Sequence, residues 1–105
     1  MLTLSDALDY MGIDYADDKV SKNAQRALDT AKRTLKGSVG DDVFDLLPDD
    51  ERAEELVLMY TDDLYSERGV SAKVSGATRK LAADMELQLR LELKRAREEA
   101  AAHAV

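Results

Sequence analysis

A chain of 105 residues can bury one modest hydrophobic core and is too short for two domains, so we expect a single domain over residues 1–105. Because 22 Asp and Glu outnumber 15 Lys and Arg, the net charge of -7 argues against a protein that binds nucleic acid through phosphate contacts. The absence of cysteine excludes a disulfide framework, a thiolate metal site and a cysteine nucleophile.

The apolar residues are spread along the chain in short groups. No run approaches the roughly 18 apolar residues of a membrane span, and the N-terminus lacks the basic and apolar regions of a signal peptide. We therefore expect a soluble cytoplasmic protein with no membrane partner. With one Pro, one Phe and no Trp, the core is left to Leu, Ala, Val, Met and Tyr, which is typical of packed helices.

The first predicted helix begins with a capping box. Thr3 and Asp6 have the required spacing, with Asp in place of the usual longer acid. Apolar residues then recur every three or four positions, which predicts a helix over about 4–11, and Gly12 is a natural stop after it. These apolar residues are Leu4, Ala7, Leu8 and Met11.

The clearest amphipathic pattern in the chain follows an acid pair. Asp17 and Asp18 precede this second predicted helix and can cap it. Gly37 follows its last apolar residue, so we predict that the helix ends there. The apolar positions are Val20, Ala24, Ala27, Leu28, Ala31 and Leu35.

The next segment, "GSVGDDVFDLLP", breaks the helical pattern with glycines, an acid pair and a proline. We expect its apolar residues, over 43–47, to fold back onto the core as one helical turn. Asp49 or Asp50 then caps a third long helix, which ends near Gly69. The small, polar sequence "GVSAKVSGAT" after it predicts a flexible connection. The apolar stripe of this helix consists of Ala53, Leu56, Val57, Tyr60 and Leu64.

The last segment, "MELQLRLELKRAREEAAA" at 85–102, has two readings. Its leucines alternate with polar residues, which is the period of a half-buried strand, whereas its composition is that of a helix. On a helix, the apolar residues of 81–93 cover an arc of about 240°, far wider than the roughly 100° that a surface helix needs. In angular order they are Leu87, Leu91, Leu81, Met85, Leu89 and Leu93.

Three interpretations of this segment stay open: a strand, the central helix of a monomeric bundle, and a helix shared between its own core and a neighbouring subunit. The strand needs a partner strand, and the rest of the sequence contains no convincing candidate. A fully buried helix would bury Gln88 and Glu92, which lie inside the apolar arc. We favour the shared helix, in which one edge of the arc packs internally and the other contacts a neighbour. Either edge fits either role.

The predicted contacts with a neighbouring subunit or a larger partner therefore lie on this segment. It is apolar and locally basic in an acidic chain, which suits docking onto an acidic surface. The same cations also have i,i+4 spacing to acids, as Arg90 has to Glu86, and can form pairs along a solvated helix. The candidate interface residues are Leu87, Gln88, Leu89, Arg90, Leu91, Leu93, Arg95 and Arg97.

Residues that carry out chemistry are scarce. Acid pairs occur at 17–18, 41–42, 49–50 and 62–63, but none has the spacing of a calcium loop. His103, the only histidine, lies near the C-terminus and has no cysteine or second histidine to work with. We therefore predict no catalytic residue, no metal site, no cofactor and no enzymatic activity.

The order of these segments resembles the head-tail connector (adaptor) proteins of long-tailed bacteriophages. The resemblance runs over roughly residues 1–95. It rests on "LTLSDALDYMGIDYADD", the second helix ending "LKG", the "LPDD" turn into a helix ending "LYSERGVS", and the late "ELQLRLEL". Each piece is a short pattern of caps and apolar positions, so their shared order and spacing carry the resemblance.

Membership of that family implies a structural protein and not an enzyme. It implies an all-α fold, a small bundle of three to four helices with a long C-terminal helix, assembling as a ring that is dodecameric on the portal protein. The ring extends the DNA channel beneath the portal and docks a downstream neck or stopper protein, and DNA passes through it without specific binding. Such a protein is located in the virion neck after assembly in the host cytoplasm.

The alanine-rich end, 96–105, departs from what we expect of the family. It is either an ordered extension that docks on the portal or a frayed helix end. A rival interpretation of the whole chain, from a different class, is a small helical regulator or antitoxin-like module that binds one protein partner. The number of subunits in the assembly distinguishes the two interpretations, because a connector forms a high-order ring and a regulator stops at a monomer or dimer.

Overall fold

The computed structural model describes residues 2–66 and 76–103, with the backbone alone at 66 and 76–79. Over these residues the chain forms five α-helices and no strand, so the predicted all-α class with a long C-terminal helix is confirmed. One more helix is present than the three to four predicted, because the turn after residue 42 is a short helix in its own right. The helices are α1 (Leu4–Tyr10), α2 (Asp18–Val39), α3 (Val43–Leu46), α4 (Glu51–Ser66) and α5 (Gly76–His103).

The first two helices begin at the predicted caps. The Thr3 hydroxyl accepts the backbone N–H of Asp6 at 3.3 Å, and the Asp6 carboxylate accepts the backbone N–H of Thr3 at 2.9 Å. Asp17 caps α2 by accepting the Val20 N–H at 2.8 Å. Between them the chain turns at Gly12, whose φ of +74° lies in the left-handed region that glycine adopts without strain. Both helix starts are therefore determined by local sequence.

The end of α2 differs from the prediction. Gly37 lies inside the helix, which continues to Val39, a residue packed against the core. A glycine inside a helix costs only about 1 kcal/mol relative to alanine, and packing of the last turn offsets this. The break falls instead at Gly40, whose φ of +155° is open to glycine and strained for other residues.

A single turn, α3, links the two long central helices at the predicted place, and its Val43 is fully buried. Of the two acids predicted to cap α4, Asp50 does so, and it accepts the backbone N–H of Ala53 at 3.2 Å. The structure describes α4 as far as Ser66. Its predicted end near Gly69 lies outside the described residues.

The last helix, α5, is continuous from Gly76 to His103. The strand interpretation of 85–93 is therefore wrong, because helix propensity outweighs the alternation where no described segment supplies a partner strand. Most of the flexible connection predicted over 69–78 lies outside the described residues, and its last three residues belong to α5. The helix also continues into the C-terminal segment that was predicted either to dock or to fray.

The core forms between α2 and α4, with α1 and α5 packed against both. One buried residue escaped prediction because it is polar. Thr61 satisfies its hydroxyl within α4 by donating to the Val57 carbonyl at 2.6 Å, so its burial leaves no unpaired donor. The buried apolar residues agree well with the predicted stripes: Ala7, Ala24, Ala27, Leu28, Ala31, Leu35, Val43, Ala53, Leu56, Val57, Leu89 and Leu93.

Two arginines attach α5 to the end of α2 and to the turn that follows it. Arg90 donates from Nε to the Ser38 carbonyl at 2.9 Å. Arg97 donates from Nε and Nη2 to the two carboxylate oxygens of Asp42, at 2.8 and 2.5 Å. Because the two contacts lie almost two turns apart along α5, they set the rotation of the helix about its axis. That rotation decides which edge of α5 faces the core.

The carboxylates of Asp42 and Asp6 predict a loss of stability in acid. The pKa of Asp42 lies below its ordinary value of 3.8 because Arg97 donates to both of its oxygens. The pKa of Asp6 is also lowered, first by the backbone N–H of Thr3 and then by its hydroxyl. Such groups stabilise the fold above their unfolded pKa and lose that contribution as the pH falls through the lower folded value. We therefore expect the free energy of unfolding to fall below about pH 4.

Urea unfolding at a series of pH values, followed by far-ultraviolet circular dichroism, measures this dependence. The Asp42→Asn variant removes one of the two carboxyls and should show a shallower decline in acid than the wild type. Because both carboxyls lie at the surface, we expect a modest difference. Identical acid slopes in the two proteins would show that the Arg97 contact does not stabilise the fold.

Candidate assembly interface

The wide apolar arc of α5 is divided into a buried edge and an exposed edge. Leu89 and Leu93 are fully buried, whereas Leu87 is 54% and Leu91 61% exposed. Two residues along a helix differ by about 200°, so alternating leucines lie on nearly opposite sides of the axis. The edge that packs within the subunit is therefore that of Leu89 and Leu93, and the other edge is open to a neighbour.

The exposed side of α5 is wider than one pair of leucines. Leu81 is 54% exposed, and Gln88 also lies at the surface. Because Gln88 is exposed, its amide avoids the energetic cost of burial that was expected for a fully buried helix. We call this side the outer face of α5, formed by Leu81, Leu87, Gln88, Leu91, Lys94 and Arg95.

The outer face has an uneven distribution of charge. Lys94 and Arg95 follow Leu91 by three and four residues, so both cations lie next to it on the helix surface. Asp84 lies one turn before Leu87, at the other end. Exposed acids at 98–99 follow these cations by one turn. The face is therefore apolar at its centre, with two cations beside Leu91 and carboxylates at both ends, on a chain whose net charge is -7.

The structure separates the predicted interface residues into three groups. Leu87, Gln88, Leu91 and Arg95 come together on the outer face. Leu89 and Leu93 belong to the core of the subunit. The remaining two, Arg90 and Arg97, bind Ser38 and Asp42 within the chain and hold α5 in place.

A second exposed surface was missed in the sequence. Tyr10 is 42% and Tyr15 84% exposed, at the end of α1 and in the connection to α2. The signal was present as two tyrosines in the acid-rich stretch "DYMGIDYADD", but their exposure follows from the packing of α1 and not from periodicity. We use the name acidic–aromatic surface for the exposed Asp9, Tyr10, Asp14 and Tyr15 of this one short segment, together with Glu55 of α4, which lies near Tyr10.

The electrostatics of this surface are visible at Tyr10. Partial burial raises the pKa of its hydroxyl, and the nearby carboxylates of Glu55 and Asp62 raise it further. Carboxylates of α4 therefore lie close to the tyrosine at the end of α1.

Metal binding, small-molecule binding and membrane insertion have little support in the described residues. Within them, no group of three or more His, Asp or Glu side chains is arranged to hold a metal ion. A shallow cleft of about 100 Å³ lies between α2 and Leu64 of α4, far below the roughly 300 Å³ at which small-molecule pockets begin. None of the helices, as far as the structure describes them, is long and apolar enough to cross a membrane.

Comparisons with known proteins add no relative to this description. No protein-family model matches the chain, and neither the curated proteins nor the solved structures contain a match.

Proposed function

We propose that this protein is a structural subunit of the neck of a phage or prophage. In this proposal it forms a ring beneath the portal protein, extends the DNA channel and docks the next neck protein. The observation that carries the proposal is the outer face of α5. A helix whose opposite edge already fills the core still exposes three large leucines: Leu81, Leu87 and Leu91.

Exposed leucines are common singly, but Leu87 and Leu91 lie one turn apart and form a continuous apolar strip. Burial of such a strip against another protein is favourable in proportion to the apolar area removed from water. The flanking cations resemble the polar rim of an interface, where charged groups stay hydrated around an apolar centre. A subunit that packs on both sides, as in a ring, accounts for an α5 that is apolar over most of its circumference.

The charge of the chain supports the same proposal. A net charge of -7 gives a DNA channel a wall that repels phosphate, so the DNA can slide past without being held. Solubility alone also favours a net charge away from zero. The charge is therefore a supporting observation, and the outer face is the main one.

The end of α5 supplies a further contact for a larger partner. A helix of 28 residues is about 42 Å long, and residues 98–103 are exposed along their whole length. The last turns therefore extend beyond the packed body of the subunit. In the proposed assembly this extension reaches the portal.

Aspartate substitutions on the outer face test the proposal. We expect Leu87→Asp and Leu91→Asp to fold with nearly unchanged melting temperatures, because both side chains are more than half exposed. Both should lose ring assembly, because a carboxylate would be desolvated in the interface. Lys22→Asp, at an exposed position near the start of α2, is the matched control and should assemble normally.

Assembly is measured on the purified chain, alone and mixed with the portal protein of the same phage, by negative-stain electron microscopy and mass photometry. The wild type should form closed rings in at least the portal mixture. Two results count against the proposal: a wild type that binds a single protein partner one to one without forming rings, as a helical regulator does, or aspartate variants that assemble like the control.

A further inference from the structure

We infer that the outer face of α5 in one copy binds the acidic–aromatic surface of the next copy, so that the chains join head to tail. The occupant of the exposed leucine strip is thus a second copy of this chain. This inference rests on the proposed ring function and specifies the two surfaces that meet in it.

The two surfaces are complementary in chemistry. One offers Leu87 and Leu91 beside two cations, and the other offers exposed tyrosines among carboxylates. Tyr15, at 84% exposure, is the most exposed of the large apolar and aromatic side chains described, and aromatic rings are the side chains most enriched at interface centres. The two cations beside Leu91 can pair with the carboxylates around the tyrosines, which favours this pairing over a contact between two acidic–aromatic surfaces.

The position of α4 keeps the two surfaces apart within one chain. Tyr10 of α1 lies near Glu55 of α4. Further along α4, Tyr60 donates to Glu86 of α5. Because five residues along a helix rotate by about 140°, α1 and α5 approach α4 from nearly opposite sides. Within one chain, the acidic–aromatic surface therefore does not contact α5. Each of the two surfaces is open to bind another copy.

A contact between two different surfaces has a structural consequence. Each added copy presents a free surface for the next, so assembly continues until the rotation between neighbours closes a ring. The main rival is an antiparallel pair of α5 helices, in which Asp84 of each copy approaches Lys94 of the other. That symmetric dimer would leave Tyr10 and Tyr15 exposed and would stop at two copies.

Thiol cross-linking tests the pairing without background, because the chain contains no cysteine. Ala83→Cys places a thiol one turn before Leu87, and Ala16→Cys places one beside Tyr15, so neither removes a proposed contact. Thr34→Cys, exposed on α2, is the matched control outside both surfaces. The variants are treated with a flexible bis-maleimide at ring-forming concentration, singly and in pairwise mixtures. We expect the mixture of the first two to give several-fold more dimer than any other sample.

Each outcome supports or overturns the inference. Equal dimer yields in the mixed and control samples overturn it. Dominant cross-linking of Ala83→Cys to itself overturns it in favour of a symmetric contact between two α5 helices. Electron micrographs of the same proteins without cross-linker separate this result from the proposed function. Rings without the mixed cross-link refute the pairing alone, whereas the absence of both in samples that also contain the portal protein refutes the ring as well.

Discussion

Replacing Leu93 with alanine should lower the free energy of unfolding by about 2–5 kcal/mol, the range observed when a large side chain is truncated in a core. Leu93 is fully buried, and its Cδ2 lies against the backbone at Gly40. The Arg97–Asp42 ion pair holds the backbone of this turn in place. The backbone therefore has little freedom to move into the cavity that the truncation of Leu93 leaves. We therefore expect the free energy of unfolding to fall by an amount within this range. A smaller fall is expected only at sites whose surroundings move into the cavity.

The matched control is Leu91→Ala, two residues away on the same helix. Because Leu91 is 61% exposed, we expect a change within about 0.5 kcal/mol. Both substitutions have nearly the same effect on helix propensity, so the difference between them reports burial. Urea unfolding of the two variants, at a concentration where the chain is monomeric, gives both values. Comparable losses would mean that both edges of α5 are buried within one subunit, which leaves no free edge for assembly.

The second large effect is expected at Gly40. Its φ of +155° and ψ of 144° lie where residues with a Cβ are strained, at a cost of about 1–3 kcal/mol. A Cβ built on this residue would also lie 2.5 Å from Nη2 of Arg97 and 2.7 Å from Cδ2 of Leu93. Gly40→Ala must therefore displace either the ion pair to Asp42 or a core leucine, and we expect a loss at or above the top of that range.

Gly37→Ala is the control for this substitution. Gly37 lies within α2, and apart from the adjacent backbone of the helix no atom would lie within 4 Å of an added Cβ. Alanine has a higher helix propensity than glycine, so we expect the free energy of unfolding to rise by about 0.5–1 kcal/mol. Thermal unfolding of both variants should show opposite shifts in melting temperature. A Gly40→Ala protein that melts like the wild type would show that the turn after α2 can rearrange, and that it does not hold α5 in the way described.

Part of the candidate interface was predictable from the sequence. The over-wide apolar arc indicated that α5 has more apolar surface than its own core requires, and the leucines on both edges were named. The exposed edge could not be chosen, since Leu87 and Leu89 have the same residue type and similar neighbours in sequence. Tyr10 and Tyr15 were missed because they do not continue a periodic pattern. Their exposure depends on how α1 lies against α2 and α4.

The sequence by itself determined the starts of α1 and α2 and most of the core. The caps at Thr3 and Asp17 form between residues three apart, so no distant part of the chain influences them. Likewise, the stripe of α2 follows from a rotation of about 100° per residue, which is a property of the backbone.

Only the tertiary structure decided where α2 ends and which way α5 faces. Gly37 and Gly40 are both possible helix stops by residue type, and the choice depends on the packing of Val39 against the core. The rotation of α5 is set by Arg90 and Arg97, whose partners lie more than fifty residues earlier in the chain. The periodicity of apolar residues predicts which residues share a face of a helix, but contacts between distant segments decide which face is buried.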